Sequence, residues 1–129
     1  MLLQSQNLHL QGLRGATTSL DNTKCEIEAA VSELVTELVS RNELTPERIV
    51  SITFSVTSDL NACFPAAIAR RQAGWENVAL LDCQQMTVKG DLSHCIRMLV
   101  HAWMPEGQTP QHPYLRDAGL LRPDRSIKS

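Results

Sequence analysis

The chain has 129 residues, 43% of them hydrophobic and 20% charged, which suits one domain built around a single modest core. A formal net charge of −2 gives no overall attraction for nucleic acid or for an anionic membrane, so any anion site must come from locally clustered positive groups. The nine arginines against three lysines hint at such clustering, because Arg grips carboxylates in a fixed planar fork, although genome composition biases the same ratio.

In chain order, Leu8 to Thr17 is mixed and runs into the β-favouring Ala16-Thr17-Thr18, which predicts a first strand. Thr23 followed by Glu26 fits a capping box. Ile27, Ala30, Val31, Leu34, Val35 and Leu38 then recur at helical spacing, with Glu26, Glu28, Glu33 and Glu37 largely on the other face. That pattern is an amphipathic helix laid on a sheet. Thr45-Pro46-Glu47 opens only a short turn of helix, because Val50, Ile52, Phe54 and Val56 soon alternate with Ser51, Thr53 and Ser55, the period of a strand with one buried face. Phe64-Pro65 leads into a short helix over Ala66 to Gln72, stopped at Gly74. Val78 to Asp82 reads as a third strand, buried and mostly apolar, and Gly90-Asp91 as a turn. Cys95 to Trp103 reads as a fourth strand and Gly119 to Leu121 as a short fifth, with Pro105, Gly107, Pro110 and Pro113 making a loop between them.

This order predicts an α+β fold, a mixed sheet of about five strands covered on one face by helices. It forms one domain over 1–129, with loose ends at about 1–7 and 123–129. So small a sheet leaves its other face bare. Packing three sheets around an axis would cover it and enclose pockets between subunits. The opening MLLQSQNLHL has neither a basic start nor an unbroken apolar run, unlike a signal peptide, and no apolar run approaches the ~20 residues of a membrane helix. Cys25, Cys63, Cys83 and Cys95 show no close paired spacing and read as reduced thiols. The cytoplasm is the expected compartment.

Arg97 is the most informative single residue. It sits in the apolar run Cys95-Ile96-Arg97-Met98-Leu99-Val100, and a guanidinium there needs an anionic or strongly polar partner. A bound anion and an Asp or Glu elsewhere in the fold both satisfy that need. Arg14, flanked by Gly12 and Gly15, ends the first strand where glycine permits close backbone approach or an unusual φ. Arg70-Arg71 and Arg122-Pro123-Asp124-Arg125 add charge of a kind most often solvated, and Tyr114, in a Pro-rich loop, is explicable by packing. His9, His94, His101 and His112 have no HExxH spacing and no paired cysteines, so no metal is expected. GxSxG, Walker A and GxGxxG patterns are absent, and no cofactor is expected. A thiol nucleophile from Cys83 or Cys95 with His94 stays open, although neighbours such as His94 and Cys95 on a strand point to opposite faces.

Six blocks carry a further signal: LRGATT (Leu13 to Thr18), SDLNACFPAAIAR (Ser58 to Arg70), GW (Gly74-Trp75), QQM (Gln84 to Met86), HCIRMLVH (His94 to His101) and LRPD (Leu121 to Asp124). In order and near spacing the chain resembles, from about Leu10 to Ser126, the small trimeric chorismate mutases of the Bacillus type. The resemblance implies a homotrimeric pseudo-α/β-barrel with active sites at subunit interfaces. It also implies rearrangement of chorismate to prephenate in phenylalanine and tyrosine biosynthesis, with no cofactor, metal or covalent intermediate. Such an enzyme holds a flexible dianion in its reactive conformer and stabilises charge as the ether bond breaks.

By the same resemblance Arg97 donates to the breaking ether oxygen and reaches a carboxylate, Arg14 holds the enolpyruvyl carboxylate, and Tyr114 assists there. Phe64, Ala66 and Arg70 correspond to a wall supplied by the neighbouring subunit. Leu81, Leu121 and Arg122 correspond to the entrance or C-terminal cover, and Leu80 is placed with them as a substrate contact. There are two departures. Gln85 stands where the family has a glutamate that accepts the substrate hydroxyl, and Asp82 stands where it has a cysteine, so Asp82 is expected to supply the carboxylate that Gln85 lacks. Ala67 stands where the Bacillus enzyme has a lysine, which removes one cationic contact. Two alternatives remain at this level: a trimeric imine-hydrolysing or small-molecule-binding protein of the Rid type, echoed in FPA and a downstream arginine, and an inactive regulatory anion binder.

Overall fold

The computed structural model describes residues 7–122, so the loose ends expected at 1–7 and 123–129 lie, Asn7 apart, outside the described residues. Apolar residues at alternate positions of β2 (Ile49–Val56), from Ile52 onward, and of β4 (Cys95–Pro105) give each one core face, and β1 (Leu8–Thr18) joins that face through Leu13 and Gly15. With β3 (Ala79–Gln84) they form a mixed sheet in the order β1-β4-β2-β3. β4 pairs antiparallel with β1 and β2, whereas β2 and β3 run parallel.

Helix α1 (Lys24–Asn42) starts where expected: the Thr23 hydroxyl accepts from Glu26 N–H. Its buried stripe is Ile27, Ala30, Val31, Leu34, Val35 and Leu38, the residues read from the periodicity. They pack on Leu13, Ile52, Phe54, Ile96, Met98 and Val100 from the sheet. Helix α2 (Pro65–Ala69) is shorter than the expected Ala66 to Gln72, which continues as turns to Gly74 at φ +85°. Ala66, Ile68, Ala69 and the buried Trp75 join the same core. The short turn after Thr45 is a 3-10 helix, Pro46–Arg48.

Three expectations are corrected. The fifth strand does not form: Arg116–Leu120 is a 3-10 helix, and the described residues contain four strands in the sheet. The outer edge of β1 is already capped, because Ala16 N donates to Pro113 O and Leu115 N to Ala16 O, and Arg116 at φ 52° then turns the chain away. β3 is not a buried strand either. It pairs only with β2, at the sheet edge, and its residues are half-buried or exposed. In β2 the buried residue at the start is Ile49 and not Val50, since the register shifts between Ile49 and Ser51 and turns Val50 outward.

Gly15 shows what the tight packing near β1 demands. A Cβ there would stand 3.1 Å from Leu34 Cδ1 and 3.3 Å from the Pro113 carbonyl oxygen. Of the two sequence alternatives for these glycines, Gly15 serves close approach and has no left-handed φ. Gly15→Val is therefore expected to cost about 1–3 kcal/mol by overpacking, read as a lowered midpoint in urea unfolding.

Candidate active site

The open face of the sheet carries the polar residues that the core face excludes. Arg97 on β4 pairs with Ala16 of β1 and Ser55 of β2, so the three side chains rise on one side. Arg14, two residues along β1, pairs with Leu99 and shares that side. Tyr114 reaches the same place from the far end of the chain. Arg14, Arg97 and Tyr114 together line a cavity of about 330 Å³, with Thr53, Ser55 and Leu99 along its sides.

Tyr114 is held there by a relay that starts in the core. Buried Asn42, at the end of α1, donates from its amide to Leu38 O and Gln111 O, and its Oδ1 accepts from Gln111 N. The loop then runs along β1: Arg14 N donates to His112 Nδ1 at 2.9 Å, and Ala16 N to Pro113 O at 3.0 Å. Tyr114 consequently bridges Ala16 and packs with Ala118 and Leu121.

Arg97 has the acidic partner its apolar surroundings required. Its Nη2 donates to Asp91 Oδ1 at 2.9 Å and its Nη1 to Oδ2 at 3.4 Å. These bonds, then one from Leu92 N, hold the Asp91 carboxyl below its usual range, against a small opposing effect of burial. Burial is the largest single influence and works against the Arg97 charge, but the Asp91 hydrogen bond together with the attraction of Cys95, Asp91 and Tyr114 outweighs it, and the guanidinium pKa is raised. Arg97 thus meets both readings of the sequence: it is paired with an acid and it lines a cavity.

Gln85 and Asp82 part company. Gln85 continues the β2–β3 pairing (N–H to Val56 O, 2.7 Å), and its Oε1 accepts from the Ser55 hydroxyl at 2.6 Å. It therefore stands near Arg97, on the wall of a small cavity of about 190 Å³ that also meets Asp91. Asp82 pairs with buried Phe54 and points to the helix side, where its Oδ1 accepts from Ala66 N at 3.0 Å. It lines a cavity of about 580 Å³ with Phe64, Ala67, Lys24 and Arg71. Burial raises the Asp82 carboxyl above its usual range, against the Ala66 N–H and nearby Arg70. Within one chain, then, Asp82 does not replace Gln85 beside Arg97, because a three-residue step along a strand changes face.

The remaining expected site residues sort the same way. Ala66 turns its side chain into the core, and Arg70 is exposed on the α2 side. Leu80 packs half-buried against the core, while Leu81 is exposed. Leu121 packs by Tyr114, and Arg122 follows it. One chain thus brings together Arg14, Arg97 and Tyr114, and gathers Phe64, Ala67 and Asp82 at a second cavity. Asp91, Ser55, Asn42 and His112 were not read as site-building residues. The demand for an acid near Arg97 and the Gly90-Asp91 turn were both visible, and only the fold joins them. Among the described residues no three His, Cys, Asp or Glu side chains gather as metal ligands, and no helix is long and apolar enough to cross a membrane.

Comparison with known proteins is consistent across three levels. The family model for chorismate mutase type I matches residues 10–125. Chorismate mutase AroH of Bacillus subtilis (strain 168) is 38% identical over 120 residues, covering 92% of this chain and 94% of the relative. Chorismate mutase AroH of Thermus thermophilus is also 38% identical over 120 residues, covering 89% and 95%. A solved chorismate mutase from Clostridium thermocellum superposes with a TM-score of 0.79 at 39% identity, covering 85% of this chain and 98% of that one.

The lowered Asp91 pKa has a signed consequence. An acid held below its unfolded value adds stability that is complete above the unfolded pKa and is lost as pH falls through the folded one. Asp91→Asn should therefore melt below the parent at neutral pH, and the two melting temperatures should converge well below the ordinary carboxylate pKa of about 4.

Proposed function

The chain belongs to the chorismate mutase type I family, and from that membership we infer that it converts chorismate to prephenate for aromatic amino-acid biosynthesis. The observation that carries the reading is the cavity where Arg14, Arg97 and Tyr114 converge. The family match sets aside the imine-hydrolysing alternative. In the reaction an ether C–O bond of the substrate breaks while a C–C bond forms within the same molecule. No group is transferred to the protein, so a cluster of fixed donors suffices.

Arg97 donates to the ether oxygen as negative charge develops there and reaches a carboxylate. Arg14 and Tyr114 hold the enolpyruvyl carboxylate, and Gln85, steadied by Ser55, faces the hydroxyl end. The wall opposite comes from a neighbouring subunit: Phe64, Ala67 and Arg70, with Asp82 among them and Ala66 packed beneath. Its carboxylate meets the substrate hydroxyl from across the interface, which is how it serves the end that Gln85 serves from the other side. Leu80, Leu81, Leu121 and Arg122 belong to the entrance and its cover.

The assembly we propose is a homotrimer of single-domain chains forming a pseudo-barrel. Its support is the open sheet face, where Leu10, Leu81, Leu99 and Trp103 are 52%, 59%, 41% and 43% exposed. So much apolar surface on one face calls for a partner, and a closed ring of copies provides it. Phe64, at 70% exposure beside the Asp82 cavity, is placed to meet the next subunit. Cytoplasmic residence belongs to the same proposal, supported by four cysteines carried as free thiols.

Purified protein without added cofactor should consume chorismate absorbance and yield prephenate; no conversion would reject the activity. Arg97→Ala should remain a trimer by light scattering yet lose kcat by on the order of a hundredfold or more, as removal of a preorganised donor costs roughly 3–4 kcal/mol. The shared site has its own test. Arg97→Ala and Arg70→Ala chains, each impaired alone, should regain activity when co-refolded, because mixed trimers contain some interfaces with both arginines. Activity no higher than that of the separate variants would place both arginines in one subunit's site or remove Arg70 from it.

A further inference from the structure

We propose that Asp91 is a positioning residue for Arg97, a fixed carboxylate beside the guanidinium that sets its plane before substrate arrives. The inference rests on the reading above that Arg97 acts on the substrate, and adds the group that makes it effective.

Three observations carry it. First, the contact is two-pointed: Nη1 and Nη2 each bond a different oxygen of one carboxylate. Two parallel bonds fix the plane of a guanidinium where one would leave it free to swing. Of the five N–H donors on a guanidinium, this leaves the remainder for a ligand.

Second, Asp91 stands beside the cavity that Arg14, Arg97 and Tyr114 line, at the end where Gln85 lies. The cavity that Arg97 shares with Arg14 and Tyr114 does not include Asp91, which lines the neighbouring one with Gln85, Thr57 and Met86. The carboxylate can keep its hold while the cavity is filled.

Third, Asp91 is itself immobilised. Its N–H donates to Val88 O, its Oδ1 accepts from Leu92 N at 2.8 Å, and the turn is tightened by Gly90 at φ +85°. Asp91 belongs to a tight turn rather than a swinging side chain on an open surface, so its position is passed to Arg97.

The consequence separates turnover from binding. An arginine already oriented spends no binding energy on being ordered in the transition state. Yet a negative charge beside the cavity opposes a dianion. Losing Asp91 should lower kcat without raising KM, whereas general loosening of the fold would damage both.

Asp91→Asn is the variant of choice because its amide oxygen can still accept from Leu92 N, which keeps the turn, while its NH2 group opposes a guanidinium donor. The expected result is a fall in kcat of about tenfold, the size typical of losing a group that orients a functional ligand, with KM unchanged or lower. In an Arg97→Ala background, where there is no guanidinium to hold, the same substitution should leave the residual kcat unchanged. Nitrogen-15 arginine spectra provide a readout apart from activity: the Arg97 Nη signals, identified by their loss in Arg97→Ala, should be resolved in the parent and averaged by rotation in Asp91→Asn. Undiminished kcat, an equal loss in the Arg97→Ala background, or Nη signals unaffected by the substitution would each overturn the role of Asp91. A parent enzyme that forms no prephenate would instead overturn the functional reading beneath it.

Discussion

β4 is hydrogen-bonded on both of its edges, and the rest of the molecule depends on that pairing. Antiparallel contact with β1 sets Ala16 beside Arg97 and Arg14 beside Leu99, and antiparallel contact with β2 sets Ser55 beside Arg97. One strand therefore decides which residues of two distant chain segments share a face. A slip of one residue in either ladder would turn Arg97 toward the helices and send its apolar neighbours to the open side. The buried run Ile96, Met98, Val100, Ala102 and Met104 makes such a slip prohibitive, since each side chain would exchange core for solvent. The register of the site is thus enforced by the hydrophobic core on the opposite side of the same strand.

That division of labour has a cost, namely a sheet covered on one side only. The helices bury the core face, and the open face is left with arginines, serines and threonines interleaved with Leu10, Leu99 and Trp103. Arginines among apolar neighbours are poorly hydrated once the face is closed, which strengthens every interaction they make with an anion. Burial of the face and strength of the site are then one requirement. In the proposed trimer, a copy of the chain that covered the leucines and the tryptophan would also dry the arginines, and would bring with it the Phe64 and Asp82 cavity that a single chain keeps on its other side.

Much of this was legible in the sequence. The α1 stripe, the Thr23 cap and the anomaly of Arg97 are local patterns that appear as read, and the β2 alternation does so from Ile52 onward. What was not legible depends on pairing. Val78 to Asp82 looks like an interior strand because its residues are apolar, but burial is set by the number of neighbouring strands, and β3 has one. Gly119 to Leu121 has a strand's composition, but the edge it would have joined is occupied by Pro113 to Leu115. The proximity of Asp82 and Gln85 in sequence suggested that one could stand in for the other. Their three-residue separation places them on opposite faces, which only the β2 register makes plain. The six ordered blocks reach further than any local pattern because they sample all the segments that the sheet later joins.

A reaction without a nucleophile or a metal puts its whole demand on the placing of donors, and the proposed site meets that demand by a repeated device. Three of the side chains at the site are held by more than their own segment. Tyr114 is tied through Gln111 and Asn42 to the end of α1, Gln85 is tied through Ser55 to β2, and Arg97 is tied to the turn at Asp91. Each tether comes from a different element and approaches from behind or beside the cavity, so the three are independent of one another and of the ligand. A donor tethered in this way loses little conformational freedom when charge develops before it, and it is the avoided reorganisation, more than the count of positive charges, that lowers a barrier. A chain of net charge −2 can therefore stabilise a dianion's transition state: what matters is that a few cations are fixed where charge appears, not that the protein as a whole is positive.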